Sequence, residues 1–462
     1  MLVNNNTFSH QYTPVSSQAE GNTGNAQKDT AVDSLLESQP SRQNNAMLRK
    51  AAEEVATTNK EQEIADSLIN AIDDHTIHLE AISNWTEGGL KAFQGALEMM
   101  AQNMMTNKPQ NGEYGSYYED LFQLVMLDVL ANAEAYGFTK SDTANRDDVF
   151  LQFLSWSLEY VGTGQHNSWV ETLPDPSDFA GNNNPVSGTN GNKGNHLVKI
   201  ANHVWEGIKN AIDSGHIPDN SLASRLMKFI SSQGNNSDGS ISSTLPKVIY
   251  DNLYTGKNNE TAVVGANEGY YNSGQGGWIT NSNNNMSPLM RLTALSYILA
   301  EVEELSTSEV NTIFYGKLED INNLYKKIFK IDSAQGKEGS IDTKAPDIYH
   351  FIIRWNKGGQ SSGDNNCTDG KLEHDNNGWQ NCAFNHNSQY RPQGVSISLD
   401  FAGELNFDWL NNLANNYPKR VLGDEDIKEI NRLGDSAKMI MQTLKYWFQI
   451  MRDERVAIAR NI

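Results

Sequence analysis

The chain has 462 residues, enough for two or three ordinary domains or for one helical body with an inserted lobe. Its 57 acidic residues outweigh 36 basic ones, a net charge of -21, so the average surface repels nucleic-acid phosphates and anionic membranes, and no nucleic-acid partner is expected. No apolar run approaches the ~20 residues needed to cross a bilayer, and the densest, Leu121 to Ala131, contains Asp128.

The first thirty residues lack the basic and apolar regions of a cleaved secretory signal, so Sec-dependent export is not expected. They are rich in Ser, Thr, Asn, Gln and Gly, and disorder is expected to about Ser41. Such a leader fits a signal for unfolded export through a type III apparatus and fits an ordinary floppy terminus equally. From Asn44 to Asn107 the chain reads as helix, with a break expected near Asp73 and Asp74. Its second half repeats Leu79, Ile82, Trp85, Phe93, Leu97, Met100 and Met104 at helical spacing and ends before Pro109. Tyr117 to Tyr136 and Asp147 to Val161 are apolar on most faces, as interior helices are.

Prolines and an Asn/Gly run mark a long loop from Gly162 to Gly194. Helical patterns return at His196 to Ser214, Ser221 to Ser232 and Ser243 to Leu253, followed by a second polar loop, Thr255 to Asn285, that carries Tyr270, Tyr271 and Trp278. Ser287 to Leu305 and Ser308 to Ile331 read as amphipathic helices, the second with Ser308 as its N-cap. A third polar loop covers Lys357 to Pro392. Beyond it Val395, Ile397 and Leu399 alternate with polar residues as a strand does, with Asp347 to Trp355 as its sheet partner or a short helix. Asp408 to Asn416 is a short helix. Gly423 to Ile462 is a long one, whose positions Ile430, Leu433, Ala437, Ile440, Leu444, Trp447, Met451 and Ile458 form a packing seam.

Chemical signals are sparse. No HExxH, GxSxG, P-loop or GxGxxG occurs in a supporting context, so no catalytic residue and no cofactor are assigned. Cys367 and Cys382 are spaced to close a ring of about fifteen residues, worth roughly 3 kcal/mol if oxidised; two free thiols are the alternative. With His374 and His386 they have the ligand types of a zinc site but not its usual close spacing, and no metal is assigned. His75 and His78 lie one helical turn apart without a third ligand, and His196 and His203 read as residues capping or flanking a helix. Glu134 beside Tyr136, and Glu159 beside Trp156 and Tyr160, read as solvated helix faces, although a glycosidase uses such carboxylates. Met99, Met100, Met104 and Met105 read as core packing. Lys438, Lys445, Arg452, Arg455 and Arg460 are basic positions on the last helix. They suit its C-terminal dipole, and they suit an acidic neighbour equally.

The stretch Ile430 to Ile462, with either Ala81 to Asn107 or another subunit as its partner, resembles the terminal helices of secreted structural substrates of type III export systems, the hydrophilic needle-tip and flagellin-like filament proteins. The resemblance implies terminal helices that pair as a coiled coil and polymerise or seat on a needle.

The expected fold is therefore mainly α, an elongated helical bundle or coiled coil with long polar loops and a small β-element. Its expected regions are a disordered leader (1–41), an N-terminal helical region (42–162), a helical middle with Asn/Gly-rich loops (163–285), helices with the β-element (286–422) and the terminal helix (423–462). The expected function is non-enzymatic: an exported assembly or host-contact protein, cytoplasmic before export and then secreted or on the cell surface. Its partners would be itself or secretion-apparatus components, met through Leu433, Ile440, Leu444, Trp447, Met451 and Ile458. A secreted carboxylate hydrolase and a carbohydrate- or ligand-binding protein are the alternatives.

Overall fold

The computed structural model describes residues 23–56, 58–108, 117–138, 150–151, 153–154, 157–158, 196–233, 239–253, 286–302, 304–330, 348, 373–375, 378–380 and 407–460. Among these the chain is mainly helical and falls into two compact units, one from residues 1–76 and 432–462, the other from 77–431. The two segments of the first unit share one core.

The first unit contains α1 (Thr23–Glu37), α2 (Arg42–Val55), the first part of α3 (Asn59–Glu87) and the last part of α13 (Asp424–Arg460). Its core joins Leu36, Leu48, Ala52, Ala65, Ile69 and Ile72 to Met441, Leu444, Trp447, Phe448 and Met451. Of the leader expected to be disordered to Ser41, residues 1–22 lie outside the described residues, and Thr23–Glu37 is helical. Val32, Leu35 and Leu36 form a one-face apolar triplet inside a polar leader, and burying it in this core orders α1. Ser41 caps α2 by accepting from the Asn44 amide at 3.1 Å. Thr58 and Glu61 bond reciprocally at the start of α3, and this is where the helix breaks. The break expected at Asp73 is absent. Its carboxylate accepts from Asn45 at 2.7 Å and pairs with Arg49 at 2.9 Å, so it ties α2 to an uninterrupted α3.

In the second unit α3 ends at Gly88 and Gly89, whose φ of +79° and +62° suit glycine. A Cβ on Gly89 would stand 2.9 Å from the Asn415 carbonyl oxygen, so the turn is also closely covered. The helices α4 (Gly89–Thr106), α5 (Tyr117–Ala131), α6 (His196–Asp213), α7 (Leu222–Ser232), α8 (Lys247–Leu253), α9 (Pro288–Glu301), α10 (Thr307–Tyr315), α11 (Leu318–Phe329) and α12 (Phe407–Asn415) belong to the unit. α5, buried along nearly its whole length, is the central helix, with α4, α7, α8, α9 and α12 against it. Such an all-round apolar helix has to be interior.

The single helix expected from Ser308 to Ile331 is two. The buried Arg291 donates to the carbonyls of Ile313 and Gly316 at 2.9 Å each and so ends α10, while Asp320 accepts from the Lys317 amide at 3.1 Å and starts α11. The N-cap is Ser306 rather than Ser308, in a capping box with Glu309. Two three-residue strands, β1 (Glu373–Asp375) and β2 (Gly378–Gln380), pair antiparallel with His374 opposite Trp379. The strand expected at 395–399 lies outside the described residues, as do the loops expected at 162–194 and 255–285.

Candidate functional site

The last helix is the longest among the described residues, and it begins on an acidic first turn, Asp424 to Asp426, that complements its N-terminal dipole. Within the first unit its seam is already filled. Ile440, Leu444, Trp447 and Met451 belong to or pack on the shared core, Leu433 and Ala437 are buried, and Trp447 meets Phe448 edge to face at 5.1 Å. Met441 and Phe448, which a strict three-and-four count omitted, are part of the same face. The seam's companion is α1, α2 and the start of α3, where Ala81 to Asn107 was expected. Of the six expected interaction residues only Ile458 is exposed, at 52 %.

The basic residues follow the same logic. Lys445 pairs with Glu37 at 3.0 Å, and Arg452 pairs with Asp29 at 3.2 Å and Asp33 at 3.0 Å, all on α1, while Arg455 donates to the Glu54 carbonyl on α2. The acidic neighbour is thus within the chain. Each exposed pair contributes only about 0–1 kcal/mol, so these charges orient the helix more than they hold it. On α2 the hydrogen bond and charge of Lys28 hold the Glu54 carboxyl below its ordinary range.

With the inner face filled, α13 still carries a second apolar face. Met439, Tyr446 and Ile450 are 65 %, 69 % and 45 % exposed. At about 100° per residue they fall within roughly 40° of one another, about 120–140° round the helix from Leu433, Leu444 and Met451 when measured from Met439. Charged residues bound this stripe: Arg432 and Asp435 before it and Asp453 after it, all exposed.

The remaining sequence candidates disperse. Cys367, Cys382, His386, Glu159, Tyr270, Tyr271 and Trp278 lie outside the described residues, and His374 is known only as backbone in β1. Among the described residues no group of three metal-ligating side chains occurs, and no helix is long and apolar enough to cross a membrane. Glu134 is exposed, as a solvated face requires. Met100 is buried, with Met99, Met104 and Met105 packed against the core. His203 is not a helix cap: it sits inside α6, its ring edge-on to Phe153 at 5.0 Å, and burial pushes its pKa down.

A buried polar network in the second unit was invisible to sequence spacing. Glu98 on α4 pairs with Arg225 on α7. Asp128 on α5 accepts from Asn132 at 3.0 Å, from the Tyr136 hydroxyl at 3.1 Å and from the Ala223 amide at 3.1 Å, in the first turn of α7. These groups pin α4, α5 and α7 together. Burial pushes the Asp128 carboxyl from 3.8 up to about 6, with Glu98 adding to the rise and the Ala223 amide, the Tyr136 hydroxyl and Arg225 opposing it.

The stability consequence has a definite sign. Below about pH 4 folded and unfolded chains both hold the Asp128 proton; between about 4 and 6 only the folded chain does, so stability from this group falls as pH rises. Above about pH 6 the loss is complete, at about 3 kcal/mol. Thermal unfolding from pH 4 to 7 should therefore show wild type losing stability relative to Asp128→Asn. Parallel pH curves for the two proteins would contradict this assignment.

Compared with protein-family models, curated proteins and solved structures, the chain finds no match.

Proposed function

We propose that this chain is a non-enzymatic assembly protein that meets its protein partner through the outer face of α13. One observation carries the proposal: after α13 has filled the core of its own unit, it presents Met439, Tyr446 and Ile450 to solvent in a single stripe. A helix that only completed a core would be polar on that side. In its fuller form the proposal is an exported component of a tip or filament, made in the cytoplasm and secreted without a Sec-type signal, with helical-bundle or coiled-coil packing of its ends. The shared helical core of α1, α2, the start of α3 and α13 supports that form.

The hydrolase reading names Glu134, which is exposed, and Glu159, which lies outside the described residues; the buried carboxylates that could stand in for them are Glu98 and Asp128. Both are buried and committed to Arg225, Asn132, Tyr136 and the Ala223 amide, which gives them a structural task and leaves the interaction reading better supported.

The test is a photoreactive phenylalanine analogue in place of Tyr446, with the same replacement at exposed Lys50 on α2 as control, irradiated in the cells that make the protein. Protein-sized adducts at position 446 that are absent at position 50 are expected. Equal or absent adducts at both would overturn the proposal.

A further inference from the structure

The partner of the outer stripe follows from the order of charges along it. Read from its N-terminal side, the face runs Arg432, Asp435, Met439, Thr443, Tyr446, Ile450, Asp453. At about 100° per residue these seven positions stay within roughly 40° of one line along the helix. Each is exposed, and all belong to the first unit.

Two copies of the face can meet in two simple ways. Parallel and in register, Arg432 would face Arg432, Asp435 would face Asp435 and Asp453 would face Asp453, like charge on like charge at every charged step. Antiparallel, one register removes this conflict: Met439 faces Tyr446 of the second copy, Gln442 faces Thr443, and Arg432 faces Asp453. The two-fold axis repeats each contact, giving two methionine–tyrosine contacts and two arginine–aspartate pairs, with Ile450 beside the apolar pairs. Asp435, which falls opposite Ile450, keeps Lys438 of its own helix at 3.9 Å. Such an isologous contact closes on itself.

Resting on the interaction reading above, we infer that the outer face of α13 pairs antiparallel with the same face of a second copy, in the register that sets Arg432 against Asp453 and Met439 against Tyr446. The apolar stripe is short, so the dimer is weak and reversible, and the fraction of chains paired depends on concentration.

Sedimentation equilibrium of the full chain tests this. Wild type is expected to dimerise reversibly, and Tyr446→Glu to be monomeric with unchanged far-ultraviolet circular dichroism and Tm. Arg432→Asp and Asp453→Arg should each weaken the dimer about tenfold by facing two pairs of like charges. The double swap, which restores both pairs in reversed polarity, should return wild-type association. A double swap as weak as either single change overturns the register. If wild type stays monomeric up to its solubility limit while the probe at position 446 still captures a protein of another mass, self-pairing is overturned and the interaction reading stands. If there is neither dimer nor adduct, both fall.

Discussion

Leu444→Ala is expected to destabilise the unit formed by the chain ends by about 2–5 kcal/mol, because a fully buried leucine is deleted from a core that can collapse only in part. Leu444 is 0 % exposed between the helices of both ends. Ile458→Ala, on the same seam but exposed, should change stability by no more than about 0.5 kcal/mol. Urea unfolding followed by far-ultraviolet circular dichroism separates the two. If Leu444→Ala kept full stability and lost only association, Leu444 would belong to an interface and not to this core. The same core makes truncation at Gly423 a poor test of assembly. Removing α13 would also remove Met441, Leu444, Trp447, Phe448 and Met451, and expose what α1 and α2 bury. Surface changes at Tyr446 avoid that confusion.

A comparable loss is expected at the root of α13. Arg420 is buried and donates to both Asp426 oxygens, at 2.7 and 2.9 Å, and to the Thr307 hydroxyl at 3.0 Å. Its guanidinium lies 5.2 Å from the Trp85 ring centroid, and its amide donates to the Trp85 carbonyl at 3.1 Å. Asp426 in turn accepts from the Gly423 amide at 2.9 Å, which starts the helix. Burial pushes the Arg420 pKa down, and the charge and hydrogen bond of Asp426 oppose that. Arg420→Met should therefore cost about 3–5 kcal/mol, the cost of a buried carboxylate left without its cation. Arg420→Met with Asp426→Leu should recover most of the loss, since an apolar pair of similar volume removes the unpaired charge. Thermal unfolding of wild type, the single and the double variant measures this. A double variant no better than the single one would place the cost in the Thr307 and Trp85 contacts instead.

Periodicity, which is a local property, made most of the helices legible. α5, α6, α7, α9, α12 and α13 lie close to where apolar spacing puts them, and Ser221 and Ser287 cap α7 and α9. The same local property recognised that one face of α13 must pack. It could not say against what, because α1 and α2 lie some four hundred residues away in the chain, and a polar leader hid the Val32, Leu35 and Leu36 stripe that orders α1. Nor could it see that α13 has two apolar faces with different fates, one filled by its own unit and one left to solvent.

What only the tertiary structure decided depends on partners distant in sequence. Arg291 ends α10 by reaching its last carbonyls, Asp128 gains its raised pKa from burial beneath the first turn of α7, and Asp73 continues a helix because Arg49 and Asn45 take its charge. A sequence pattern records which side chains share a face, since helical geometry alone sets that. Which charge is neutralised, which helix ends and which apolar face stays exposed are settled by desolvation and pairing, and those exist only once separate segments have been brought together.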